Sequence, residues 1–136
     1  KDLYLSGGVY LGGTGSANLL SDYEEGTWTG TATAGGGTVN IDAEGYIKIG
    51  DIVHVVFTVN FSGASGSLSV SGLPFAATNW AVGIGREDAS SGYAVFTRVS
   101  SGNTNTDIWY AGALGNATPF QVASGNMRMS LTYTVV

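Results

Sequence analysis

The residues best suited to chemistry in this chain are aromatic. Trp80, Tyr93, Trp109 and Tyr110 fall at or near strand ends in its later half. Sugars present flat C–H faces, and rigid aromatic rings stack on them at low entropic cost. Asp88, Asn103, Asn105 and Asp107 lie close by in sequence and can bond hydroxyl groups. Together these eight residues are the candidate ligand-binding set. Against them stands the common use of aromatic rings as core filling in small β domains.

Other groups carry weaker chemistry. Asp22, Glu24 and Glu25 offer carboxylates to a hard cation, but calcium takes six to eight oxygens and the EF-hand pattern is absent. Their plainer role is a solvated sheet entrance. A glycosidase needs two carboxylates facing across a sugar. Asp88 and Asp107 are the loop candidates, and no spacing joins them as a pair. His54 is the single histidine, so it cannot build an imidazole metal site, and no Gly-x-Ser-x-Gly elbow accompanies it. Gly83-Ile84-Gly85-Arg86 lacks the third glycine of a dinucleotide fingerprint. Gly12-Gly13-Thr14-Gly15 lacks the Lys-Ser/Thr of a phosphate loop. Asn60-Phe61-Ser62 and Asn116-Ala117-Thr118 match a glycosylation pattern that arises by chance in so Asn-, Ser- and Thr-rich a chain. No catalytic residue, metal or cofactor is expected.

The elements that position these residues follow from composition. The chain has 136 residues, the size of one domain, with 22 glycines and only 11% charged side chains. Helical faces need Glu, Lys, Arg and Gln, and glycine penalises helix interiors, so an all-β fold is expected. Ten acidic against five basic residues give a net charge of −5. A phosphate backbone or an anionic membrane surface is a poor partner for such a chain. Without cysteine there is no disulfide framework and no thiol nucleophile. The uncharged run from Ile108 to Met127 is broken by Gly112, Gly115, Asn116, Pro119, Gln121 and Gly125, so no membrane insertion is expected.

The clearest strand is Ile52 to Phe61, with Val53, Val55, Phe57, Val59 and Phe61 on one face. Met127 to Val136 alternates in the same way, with Met127, Met129, Leu131, Tyr133 and Val135 on one side. Further strands are expected over Thr27–Ala34, Val39–Ile41, Gly45–Ile49, Ser67–Ser71, Trp80–Arg86, Tyr93–Val99 and Thr106–Ala111. Turns are expected at Gly35-Gly36-Gly37, Asp42-Ala43-Glu44 and Ser62-Gly63. Short strands at regular spacing predict an antiparallel β-sandwich of jelly-roll type over residues 21–136. Residues 1–20 read as a β-structured shaft segment with a glycine-rich joint. Within it Leu3-Tyr4-Leu5-Ser6-Gly7-Gly8 is echoed at an offset of six by Val9-Tyr10-Leu11-Gly12-Gly13. The echo is either a shaft repeat or one local hairpin. Because it begins so near Lys1, a fragment of something longer is expected.

Three stretches carry a resemblance. Gly8 to Thr29, including Asp22-Tyr23-Glu24-Glu25-Gly26-Thr27-Trp28, resembles the opening segment of a family of bacteriophage tail-fibre and tailspike C-terminal domains. Tyr46-Ile47-Lys48-Ile49-Gly50-Asp51-Ile52-Val53 is similar to the strand that follows in that family. Gly72-Leu73-Pro74-Phe75 is similar to its Gly-Leu-Pro-Phe turn. They cover about a quarter of the chain in the family's order. Gly30 departs from the family's frequent proline. The resemblance implies a homotrimeric receptor-binding head at the tip of a virion fibre, partnered by a bacterial surface glycan or outer-membrane protein. No catalytic residue is carried over from it. The rival readings are a glycan-active tailspike enzyme, a purely structural trimerising cap and a monomeric carbohydrate-binding module.

Overall fold

The computed structural model describes residues 1–2, 5, 7–88, 92–111, 117–119 and 124–136, without the side chains of 43, 44, 110, 111 and 117–119. Its strands are β1 (Val9–Tyr10), β2 (Leu19–Leu20), β3 (Tyr23–Gly26), β4 (Thr31–Thr33), β5 (Gly36–Ile49) and β6 (Ile52–Ser65). They continue with β7 (Leu68–Ser71), β8 (Ala81–Glu87), β9 (Ala94–Val99), β10 (Asn105–Ala111), β11 (Ala117–Pro119) and β12 (Ser124–Thr134). Every recorded strand pair is antiparallel. β1 and β2 form a small sheet of their own, joined through a short 3-10 helix, Ser16–Asn18. Leu3, Tyr4 and Ser6, half of the first copy of the expected repeat, lie outside the described residues.

The all-β antiparallel expectation holds. The division into two sandwich sheets does not. One sheet runs β3-β5-β6-β12-β8-β9-β10-β7-β4, with β11 added beside β10, and curls strongly into a half-barrel. The reason is a corner in one long hairpin. β5 pairs with β6, and the same two chain segments pair again as β4 with β7. Between the two ladders the chain passes Gly35 to Gly37 on one side and Gly63 to Gly66 on the other. There the Gly35 N–H donates to the Ser65 carbonyl oxygen over 2.6 Å. Gly37 has φ +75, and a Cβ there would collide with the backbone of Ser62 and Gly63. The triple glycine is thus no free turn. It is where two strands bend together and carry the hairpin's far end across to the opposite end of the sheet.

The core fills the hollow of this curl. Val53, Val55, Phe57, Val59 and Phe61 of β6 are buried, as the alternation predicts, and so are Met127, Met129, Leu131 and Tyr133 of β12. From the other side come Leu68, Val70, Val95, Val99 and Ile108. Trp28 meets Phe57 edge to face, with ring centroids 5.9 Å apart. Thr97 and Thr106 are buried among them, and each satisfies the other through a hydroxyl–hydroxyl bond.

β8 reverses the usual logic. Its inward residues are Ala81, Gly83, Gly85 and Glu87, while Val82 and Ile84 point outward at 65% and 60% exposure. β8 lies so close to its neighbours that a Cβ on Gly83 would meet the Ser130 carbonyl oxygen and the Thr97 methyl. One on Gly85 would meet the Arg128 carbonyl oxygen and the Met129 sulfur. Glu87 is fully buried and accepts a bond from the Gly92 N–H over 3.0 Å.

Two outcomes follow. Gly83→Ala forces backbone apart rather than a flexible side-chain tip. It should cost about 1–3 kcal/mol and lower the melting temperature by several degrees, read by circular dichroism. Burial pushes the Tyr133 hydroxyl up to about 12 from its ordinary 10.0, against a smaller lowering by the Phe75 backbone. The folded chain holds this proton where the unfolded chain releases it. Its contribution to stability is therefore complete below pH 10 and lost as pH climbs from 10 toward 12. Urea titrations across that window should show a shallower alkaline decline in Tyr133→Phe than in the parent chain.

Candidate functional site

The outward face of β8 and its neighbours gathers the chemistry. Cross-strand register fixes the neighbours: Val82 stands opposite Arg98 of β9, and Arg98 opposite Asp107 of β10. Trp80 immediately precedes β8 and shares the outward side with Val82. Its side chain is 64% exposed. The Arg98 guanidinium carbon lies 5.1 Å from the Trp80 ring centroid and 5.4 Å from that of Trp109. Both fall within cation–π range, so the guanidinium is held between two indoles. Asp107 flanks it, Oδ2 to Nη2 4.0 Å. Asn105 is exposed two residues earlier on the same side of β10, about 7 Å from Asp107 along the strand.

Trp80, Trp109, Asp107 and Asn105, half of the predicted set, therefore share one face. The others separate from it. Asp88 sits past the opposite end of β8, 3.8 Å from the Arg86 Nε and 3.7 Å from the Arg128 Nε. Tyr93 is exposed just before β9, its carbonyl accepting from the Glu87 N–H over 3.0 Å. Asn103 builds the turn between β9 and β10. Its carbonyl takes the Ala77 N–H, and its amide donates to the Ser101 carbonyl over 3.2 Å. The Tyr110 side chain lies outside the described residues.

The sequence does not single out Arg98, although its charge completes the stack. A lone arginine in a predicted strand carries no local signal. Only the register that sets it between Val82 and Asp107 reveals it.

The rival sites resolve into structural roles. Lys48, itself buried, pairs with Asp22. Tyr46 donates to Glu24, and Tyr23 to Glu25 over 2.9 Å. The hydrogen-bonded carboxylates raise both tyrosine pKa values. The Asp22 and Glu24 bonds fasten β3 and the residue before it to β5, while the Tyr23–Glu25 bond lies within β3. Among the described residues no group of three His, Asp or Glu side chains is placed to hold a metal. His54 is half-buried on the outward face, its Nδ1 2.9 Å from the Thr132 Oγ1. Asp107 is level with Val82, and Asp88 follows β8 six residues later, about 20 Å along the strand. That is too far for the pair of a retaining or inverting glycosidase.

Comparison with family models, with curated proteins and with solved structures finds no match to this chain. The functional reading therefore stands on the outward face itself. What that face can do is bind: an exposed indole platform, a guanidinium with one edge engaged, and nearby carboxylate and carboxamide groups.

Because the Trp80 side chain is mostly in solvent, Trp80→Ala should change folding free energy by less than about 1 kcal/mol. Ile108→Ala, at 1% exposure, should cost about 2–5 kcal/mol. Denaturant titration separates the two.

Proposed function

We propose that this chain is the receptor-binding head of a homotrimeric bacteriophage tail fibre, placed at the virion tip and adhering to a bacterial surface glycan. The observation that carries the binding role is the exposed Trp80 indole stacked on Arg98 beside Trp109. An indole 64% exposed on a sheet face gains little for folding and offers a flat platform to a sugar ring. The module acts without catalysis, cofactor or metal.

Exposed apolar residues support the trimer. Leu5, Val9, Tyr10 and Leu11 are all exposed in the N-terminal segment. On the outward side of β5 and β6, Ile47, Ile49, Ile52 and Val56 are 41–53% exposed. A ring of three copies buries such a face through head-to-tail contacts. Three sites held together then raise weak single-site binding by avidity.

Screening the purified protein on immobilised bacterial surface polysaccharides tests the reading. The parent chain should bind at least one of them. Trp80→Ala should bind about tenfold or more weakly at an unchanged melting temperature. Equal binding by that variant removes the site. Release of oligosaccharide into solution favours the tailspike-enzyme alternative. A tight trimer that binds nothing favours the structural cap, and a monomer that binds sugar favours a free carbohydrate-binding module.

A further inference from the structure

The outward face of β8 continues beyond the indole platform. Trp80, Val82, Ile84 and Arg86 succeed one another along it because the glycine-bearing side packs inward. At the end away from Trp80, Arg86 stands directly opposite Arg128 of β12. Their side chains are 72% and 81% exposed. Like charges set directly opposite on a sheet repel and weaken it. Asp88 lies between them at 3.8 and 3.7 Å from the two Nε atoms, beyond hydrogen-bond length. It balances charge at a distance, and both arginine side chains stay largely exposed.

Two contiguous grooves run between Val82, next to Trp80 on this face, and Arg128. One, of about 280 Å³, is lined by Val82, Ile84, Phe96, Ser130 and Thr132. The other, of about 330 Å³, is lined by Val56, Thr58, Ile84, Arg128 and Ser130 among others. They share Ile84 and Ser130. Four residues of strand separate Arg86 from Val82, about 13 Å. Small hydroxyl residues of β12 floor this path between aliphatic walls.

We propose that the path binds an acidic polysaccharide, with Arg86 and Arg128 taking one carboxylate or phosphate group of the sugar chain. Guanidinium forks match such anions in bidentate geometry. Val82, Ile84, Phe96 and Trp80 take the apolar faces of the intervening sugars. The assignment rests on the glycan-binding reading above and adds the charge class of the ligand. Three of the chain's five basic residues, Arg86, Arg98 and Arg128, sit on this one face of a protein with net charge −5. Asp88 and Asp107 are interleaved with them. Nucleic acid demands neutralisation of many closely spaced phosphates, which three guanidiniums among two carboxylates do not supply. A sparsely charged sugar chain needs far fewer.

The test uses biolayer interferometry with polygalacturonate, alginate and a glycerol-phosphate teichoic acid, each against an uncharged counterpart, and with oligothymidylate. At least one acidic polymer should bind about tenfold more tightly than its neutral counterpart. Arg86→Gln combined with Arg128→Gln should erase that preference without lowering the melting temperature. Trp80→Ala should weaken charged and neutral polymers alike. Equal binding of acidic and neutral polymers overturns the anionic subsite and leaves glycan binding standing. Absence of any polysaccharide binding removes both. A preference that survives in the double-glutamine variant overturns the assignment to these arginines. Tighter binding of oligothymidylate than of every acidic polymer reassigns the path to nucleic acid. Loss of a parent trimer in the double-glutamine variant, seen by light scattering, reassigns the face to a contact between copies.

Discussion

The arrangement depends on the close approach of β8 to the strands on either side of it. Gly83 and Gly85 put hydrogen atoms where any other residue would drive a Cβ into the backbone of β12. That approach keeps the curl tight enough for the β6 and β12 side chains to fill the hollow. It also settles which side of β8 meets water. The strand's two large aliphatic residues, Val82 and Ile84, lie outside with Arg86 and Trp80. The proposed binding face is thus a direct consequence of a packing constraint on its reverse.

The rest of the fold secures that geometry. The glycine corner between the two ladders of the long hairpin carries β4 and β7 to the far end of the sheet. At the other end the acidic residues of β3 and the loop before it are tied to Lys48 and Tyr46 of β5, so the edge strand is fixed by side chains as well as by its ladder. Glu87, buried beneath the outward face, ties Gly92 back to the end of β8. Such a buried carboxyl is costly unless bonded, and the Gly92 N–H supplies a partner.

Much of this was legible in the sequence where one face meets the core and the other meets solvent. β6 and β12 satisfy that condition, and the inward sets their alternation predicts are the buried ones. Elements governed by backbone approach were not legible. Gly35 to Gly37 reads as a turn by composition, yet it is a strand corner, because only the partner strand shows that both chains bend together. Asp42 to Glu44 likewise reads as a turn. It is an irregularity inside one strand, where the register slips between Asp42 and Gly45. In the site, Trp80, Trp109, Asp107 and Asn105 converge as aromatic and polar residues near strand ends should. Nearness in sequence groups Asp88 and Asn103 with them, and a strand converts that nearness into distance. Arg98 lacks any local mark, since its partners come from β10 and from the residue before β8.

The central claim is that ligand binds on the outward face of β8. The most direct measurement is amide and indole chemical-shift mapping of isotope-labelled protein titrated with a polysaccharide that it binds. Binding on this face predicts the largest perturbations at the Trp80 indole N–H and at the amides of Val82, Ile84 and Arg98. Perturbations centred on β3 or on the turn at Asn103, with the Trp80 indole unmoved, would contradict it.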